Sequence, residues 1–195
     1  MVLDIFKFLL LFILVIYPLG RAVLLQIIDS REVEIIKSII LGLLVISVLP
    51  KFLLVLTIIS WIYISRKIKI SFPRPNWLLL ILALFVIVLN SQILYPFGQI
   101  TPRGISLYGA HFIDSTWHLA LINSLLRSIP PENPDYAGVL LKNYHYFTDL
   151  QIATINRLTS IPVERIFFIL MGPLYLSLAS FSLYSFISKA FSSKF

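Results

Sequence analysis

The chain has 195 residues, of which 58% are hydrophobic, and its mean hydropathy is +0.93. Soluble domains contain about 45–50% apolar residues, so this excess argues against an ordinary soluble domain and predicts a lipid environment. The formal net charge is +7, but the cations are scattered or flank apolar runs, which favours membrane anchoring over nucleic-acid binding. The absence of cysteine excludes disulfides and cysteine-ligated metal sites.

Long apolar runs predict an all-α polytopic membrane protein with four transmembrane helices. A run of about 20 apolar residues is long enough to cross the hydrocarbon core when it is helical. The four runs cover residues 8–28, 38–64, 77–96 and 161–187.

Two of these runs contain residues that a straight helix in lipid disfavours. In the first run Pro18 precedes Arg21, so either the helix kinks there or Arg21 snorkels to an interface. In the second run Pro50 and Lys51 lie at the middle. Because the two halves are too short to cross separately, we predict one kinked span. Lys51 would then face a partner or a wet cavity, or reach an interface through a shift of the helix.

The distribution of charge predicts the orientation. The 65–76 loop carries four cations and no acid, so the positive-inside rule places it in the cytoplasm. Residues 1–96 then form a unit of three spans, residues 97–160 lie outside, and residues 161–195 form the fourth span with a cytoplasmic end. Both termini are predicted to be cytoplasmic, in an integral protein of a prokaryotic plasma membrane.

The outer segment, residues 97–160, is predicted to be a largely helical loop between the third and fourth spans. Its first part, residues 97–110, is rich in glycine and should be irregular. The apolar spacing over 114–129 predicts a helix on the membrane surface, and a second helix is predicted over 144–158. The PPENPDYAG stretch, residues 130–138, should form a turn-rich connection.

All three histidines of the chain lie in this outer segment. His111, Asp114 and His118 follow i, i+3 and i+7 spacing, which can bring them to one helical face as a general base or as ligands of a divalent metal. The simpler interpretation makes Asp114 an N-cap. His145 lies four residues before Asp149, and a pair that only orients the helix is again the simpler interpretation.

Several short motifs of this segment carry a family resemblance. Residues 123–138 read NSLLRSIPPENPDYAG, residues 143–147 read NYHYF and residues 158–162 read LTSIP. Together they resemble the first large outer loop of polytopic GT-C-type glycosyltransferases, and most closely the uncharacterised membrane family named for a Tyr-Tyr-Tyr motif. Two positions depart from that pattern: His145 replaces the middle tyrosine, and Asn133 replaces an acid.

GT-C enzymes move a sugar from a polyprenyl-phosphate donor to an acceptor at the non-cytoplasmic face. The resemblance implies that Asp114 is the base for the acceptor hydroxyl. It also allows a divalent metal ion, with His111, Asp114 and His118 as candidate ligands. The implied substrate-binding residues are His118, Tyr144, His145, Tyr146, Arg103 and Lys142. The last two cations would meet the lipid phosphate.

Members of this class usually have more than four spans. The chain is therefore expected to be an N-terminal portion, or to need further spans or a partner subunit. Two other functions fit the same residues. One is a non-enzymatic assembly or transport subunit whose outer loop docks a partner. The other is a metal-dependent membrane hydrolase that uses His111, Asp114 and His118.

Overall fold

A computed structural model describes residues 1–27, 35–67, 77–94, 98–107 and 111–192, and these residues are mostly helical. The helices are α1 Val2–Leu11, α2 Tyr17–Ile27, α3 Ile35–Val48, α4 Leu53–Lys67, α5 Trp77–Leu94, α6 His111–Leu125, α7 Phe147–Thr159, α8 Val163–Arg165 and α9 Gly172–Ser192. Strands β1 Gly98–Thr101 and β2 Gly104–Leu107 form a hairpin. The predicted helical class is confirmed for these residues.

Two helices in the described part of the chain are long and apolar enough to cross a membrane. They are Val2–Ile27, with a hydropathy of 2.4, and Val163–Tyr184, with a hydropathy of 1.9. Many large apolar side chains on other helices are exposed, among them Leu54 and Ile81. Exposed apolar surface of this extent is costly in water, so it points to membrane association.

The first long helix changes its winding next to a proline. Residues Phe12–Ile16 form a π-helical segment between α1 and α2. Pro18 has no N–H with which to close an α-helical bond to the Leu14 carbonyl. Trp61 of α4 donates its indole Nε1–H to that carbonyl oxygen at 2.8 Å. Arg21 is fully buried, so the predicted alternative in which it snorkels to an interface is wrong.

Glycine brings α2 and α3 into backbone contact. A Cβ atom built on Gly20 would lie 1.7 Å from the carbonyl oxygen of Ser38, and one built on Gly42 would lie 1.9 Å from the carbonyl oxygen of Ile16. The pairing of residue 20 with 38 and of residue 16 with 42 makes the two helices antiparallel. Small residues at both contacts permit this close approach.

The predicted single kinked span over 38–64 is wrong. A 3-10 turn at Pro50–Phe52 separates α3 from α4. Both α3 and α4 pack against α2, and Trp61 reaches Leu14, so the chain reverses direction at this turn. Proline disfavours helical geometry in the residue before it, and Leu49 has φ −125° and ψ 49°.

The stretch predicted to be irregular contains a β-hairpin. Gly98–Thr101 pairs with Gly104–Leu107 around a turn at Pro102 and Arg103. The Thr101 hydroxyl donates to the Gly104 carbonyl at 2.8 Å, and Gly104 has φ +123°, a conformation that favours glycine. Of the glycines that predicted irregularity, Gly104 serves a tight turn.

Helices α6 and α7 form a parallel pair that carries most of the polar chemistry. They begin at His111 and Phe147, close to the starts predicted from sequence. Residue 118 contacts residue 149, and residue 126 contacts residue 157. Both contacts join residues 31 positions apart in the sequence, which means that the two helices run in the same direction. Helix α7 is enclosed by α1, α3 and α6, and its residues 149–155 are buried. It is therefore a core helix and not a surface element.

The first and last long helices run parallel to each other. Arg165, at the start of the last one, donates a hydrogen bond to Asp4, at the start of the first one. Further along, the Tyr175 hydroxyl bonds to the Gln151 side chain, whose Nε2 donates to the Leu43 carbonyl at 3.2 Å. Four alternating spans would make these helices antiparallel. The described residues therefore do not confirm the predicted four-span topology, and the placement of both termini on one face stays a prediction.

Candidate active site

A cleft of about 490 Å³ opens between the start of α6, the start of α7 and the start of the last long helix. Its lining residues are Asp114, Ser115, His118, His145, Phe147, Thr148, Asp149 and Phe167. The cleft thus gathers three residues predicted from sequence, at positions 114, 118 and 145. It adds a fourth ionisable group, Asp149, whose predicted partner was different.

His118 and Asp149 form a hydrogen-bonded pair at the bottom of the cleft. His118 Nδ1 lies 2.9 Å from Asp149 Oδ1. Asp149 is only 2% exposed, whereas the His118 side chain keeps 30% of its surface exposed. A carboxylate at Nδ1 selects the tautomer that carries its proton there and leaves Nε2 as an acceptor. The pair can therefore present a base or a hydrogen-bond acceptor to a ligand in the cleft.

Burial controls the protonation of Asp149. It raises the pKa of this carboxyl above its ordinary value of 3.8, and the imidazoles of His118 and His145 offset the effect only in part. Within the described residues the predicted local pair of His145 with Asp149 forms no hydrogen bond. The direct hydrogen bond of Asp149 goes to His118.

The Asp149→Asn variant should lose part of the pH dependence of stability. Because the folded pKa is raised, the folded protein holds this proton to a higher pH than the unfolded chain. The Asp149 carboxyl contributes fully to the stability of the folded protein below about pH 4, near its unfolded pKa. That contribution is lost as pH rises through the folded pKa. Unfolding free energies are measured in detergent across acidic pH. As pH rises, they should fall more steeply in the wild type than in the variant. Parallel curves would contradict the assignment.

Aromatic rings pack against the imidazoles of His118 and His145. The Trp117 ring lies edge-on to His118 at 5.5 Å and is 4.5 Å from the Tyr144 ring. Tyr144 stacks on His145 at 4.7 Å with an interplanar angle of 15°. The Phe167 ring stacks on His118 at 6.2 Å with an interplanar angle of 30°. Such rings can hold the apolar face of a sugar as well as fix the imidazoles.

Asp114 lies at the rim of the cleft and is exposed. It is the fourth residue of α6, which begins at His111, so the interpretation of Asp114 as an N-cap is wrong. Within the described ranges its carboxylate makes no hydrogen bond to the backbone turn. His118 lies one turn further along the same helix, so both groups can reach one bound molecule.

The metal hypothesis depends partly on a side chain outside the described part of the chain. The backbone of His111 begins α6, but its side chain is not among the described ones. Among the side chains that are described, no group of three histidine, aspartate or glutamate residues is arranged to hold a metal ion. The set of His111, Asp114 and His118 therefore remains a prediction.

Four predicted binding residues are outside the cleft lining, and one of them, Tyr144, stacks on His145 of that lining. Arg103 is at the tip of the hairpin and Lys142 is exposed before α7. Tyr146 precedes α7 and packs against the hydrophobic core.

Asp149 was missed as a site residue because its partner His118 is 31 positions away, and local spacing carries no signal over that distance.

Comparison of the chain with protein-family models, with curated proteins and with solved structures gave no match.

Proposed function

We propose that the cleft is the acceptor side of a membrane glycosyltransferase that uses a polyprenyl-phosphate sugar. The observation that carries the proposal is the convergence of Asp114, His118 and His145 on one cleft beside the buried carboxylate of Asp149. A cleft that combines a buried carboxyl of raised pKa, Asp149, with the aromatic side chains of Phe147 and Phe167 is typical of a site for a polar substrate. The resemblance of residues 123–162 to GT-C enzymes supplies the reaction class.

In the proposed reaction the acceptor hydroxyl oxygen attacks the anomeric carbon of the donor sugar. The bond from that carbon to the phosphate oxygen breaks, and the polyprenyl phosphate leaves with the electron pair. Asp114 takes the hydroxyl proton, because it is exposed at the rim and makes no competing backbone hydrogen bond in the described ranges. His118, fixed by Asp149, orients the acceptor through its exposed ring.

The proposal places the cleft at the non-cytoplasmic face. Asp4 and Arg165 share one end of the two long helices, and Phe167 of the cleft lining lies two residues after Arg165. Arg66 and Lys67 end α4, which runs away from the Pro50 turn towards the opposite end. The positive-inside rule would assign that opposite end to the cytoplasm and the amino terminus to the outside.

A glycosyl-transfer assay tests the proposal. Membranes that contain the full chain, together with any partner required for expression, are supplied with candidate polyprenyl-phosphate sugars and assayed for labelled product. Turnover that depends on both the lipid-linked sugar and the cleft residues supports the proposal. A chain that only docks a partner would leave transfer unchanged whether its cleft is intact or altered.

A further inference from the structure

A second cavity carries positive charge and has no acid in its lining. Its volume is about 370 Å³, and it is lined by Lys51, Arg127, Ser128, Ile129 and Arg157. Lys51 and Arg127 are exposed, and neither forms an ion pair within the described ranges. Three cations around one hollow repel one another unless an anion joins them. The cavity is thus suited to a negatively charged group.

Three elements from distant parts of the chain build this cavity. Lys51 comes from the turn between α3 and α4, Arg127 follows the end of α6, and Arg157 lies near the end of α7. The sequence prediction had placed Lys51 in a kinked span, where it would face a partner, a wet cavity or an interface. The chain reversal at Pro50 instead brings it to two arginines of the segment that follows the third apolar run.

Arg157 has a structural role that leaves donors for a ligand. Its Nη2 donates to the carbonyl oxygens of Leu125 and Leu126, both at 2.9 Å. These carbonyls end α6 and carry the negative end of the helix dipole, which would otherwise oppose an anion. Arginine has five N–H donors, so Nε and Nη1 remain for another acceptor. The cavity therefore stays favourable to an anion despite the helix ends nearby.

This cavity is separate from the cleft. Residues 149 and 157 both belong to α7, and a rise of about 1.5 Å per residue puts them about 12 Å apart along the helix axis. The parallel partner α6 repeats the arrangement, with Asp114 of the cleft in its first turn and Arg127 of the cavity just beyond its end. The parallel helix pair thus presents a carboxylate–imidazole cleft at one end and a cationic cavity at the other.

We propose that Lys51, Arg127 and Arg157 bind a phosphate group at a site distinct from the reaction cleft. Arginine matches phosphate oxygens with paired N–H donors, and lysine adds a point charge. Ile129 supplies the apolar edge that a phospholipid headgroup would meet. The site does not depend on sugar transfer, so it can be tested whether or not the chain is a transferase.

The test uses the full chain purified in a neutral detergent and two kinds of probe, phospholipids and inorganic phosphate. Phosphatidylglycerol and phosphatidylcholine are compared by native mass spectrometry, and inorganic phosphate is titrated by calorimetry. The test variant is Lys51→Gln with Arg127→Gln, since both side chains are exposed and Arg157 is kept for its bonds to α6. The matched control is Arg66→Gln with Lys67→Gln, which removes two cations from the other end of α4.

We expect the anionic lipid to bind more tightly than phosphatidylcholine and to lose about tenfold in affinity in the test variant, with the control unchanged. Inorganic phosphate that binds the wild type and not the test variant would identify a soluble phosphate as the source. Binding of neither probe, or equal loss in the test and control variants, would overturn the proposal. A circular dichroism spectrum matching that of the wild type would show that the variant is folded.

Discussion

The Asp114→Asn variant should transfer sugar about a hundredfold to ten-thousandfold more slowly than the wild type, which is the usual contribution of a general base. Asparagine keeps the size and hydrogen-bonding shape of the side chain but cannot accept the hydroxyl proton at neutral pH. Because Asp114 is exposed at the cleft rim, its replacement should not disturb packing. The measurement is initial rate in membranes at saturating donor and acceptor.

A loss in kcat with little change in KM would agree with the role of a base, because binding is retained while proton transfer fails. The matched control is Glu132→Gln, which neutralises an exposed acid of the same segment outside the cleft. Full activity in Asp114→Asn would remove Asp114 from the mechanism. An equal loss in both variants would instead indicate that negative charge in the segment matters in a general way.

The Gly20→Ala variant should be destabilised by about 2 kcal/mol or more. Alanine is favoured over glycine inside a helix by about 1 kcal/mol, so intrinsic propensity alone predicts a gain. The added methyl carbon, however, would lie 1.7 Å from the Ser38 carbonyl oxygen and 2.4 Å from the Gly42 nitrogen. Both neighbours are backbone atoms of α3 and cannot turn away, so α2 and α3 must separate. Overpacking of this kind costs about 1–3 kcal/mol and occasionally more.

Denaturant titration in detergent micelles measures this loss, with helix content followed by circular dichroism. The control is Gly104→Ala, where the added Cβ meets nothing within 4 Å but the residue has φ +123°. That variant should cost about 1–2 kcal/mol from backbone strain and act only on the hairpin. An unchanged unfolding midpoint in Gly20→Ala would mean that α2 and α3 are not in the close contact described above.

The apolar runs and the position of proline determined the helical class and the approximate ends of α5, α6 and α7. A helix in lipid is specified by its own residues, because each backbone group must be satisfied within the segment. The spacing of four residues between Asp114 and His118 likewise placed both on one face of α6. The position of a helix and the residues on one of its faces are local properties, and the spacing of residues in the sequence predicts them.

The direction of the chain after Pro50 could not be predicted from the residues around the proline. A proline between two apolar halves is equally compatible with a kink and with a reversal. The contacts of α4 with α2 and the bond from Trp61 to Leu14 decided between them. The reversal removes the single kinked span on which the predicted four-span topology depended, so the placement of the termini stays a prediction.

The pairing within the cleft also needed the tertiary structure. By spacing, Asp149 belonged to His145, four residues earlier, but its hydrogen bond goes to His118 of another helix. That choice depends on the parallel packing of α6 and α7, which buries Asp149 and turns it towards the neighbouring imidazole. The sequence by itself therefore determined which residues are polar in an apolar chain. The packing of helices decided which of them meet, because partners 31 positions apart are brought together only by the fold.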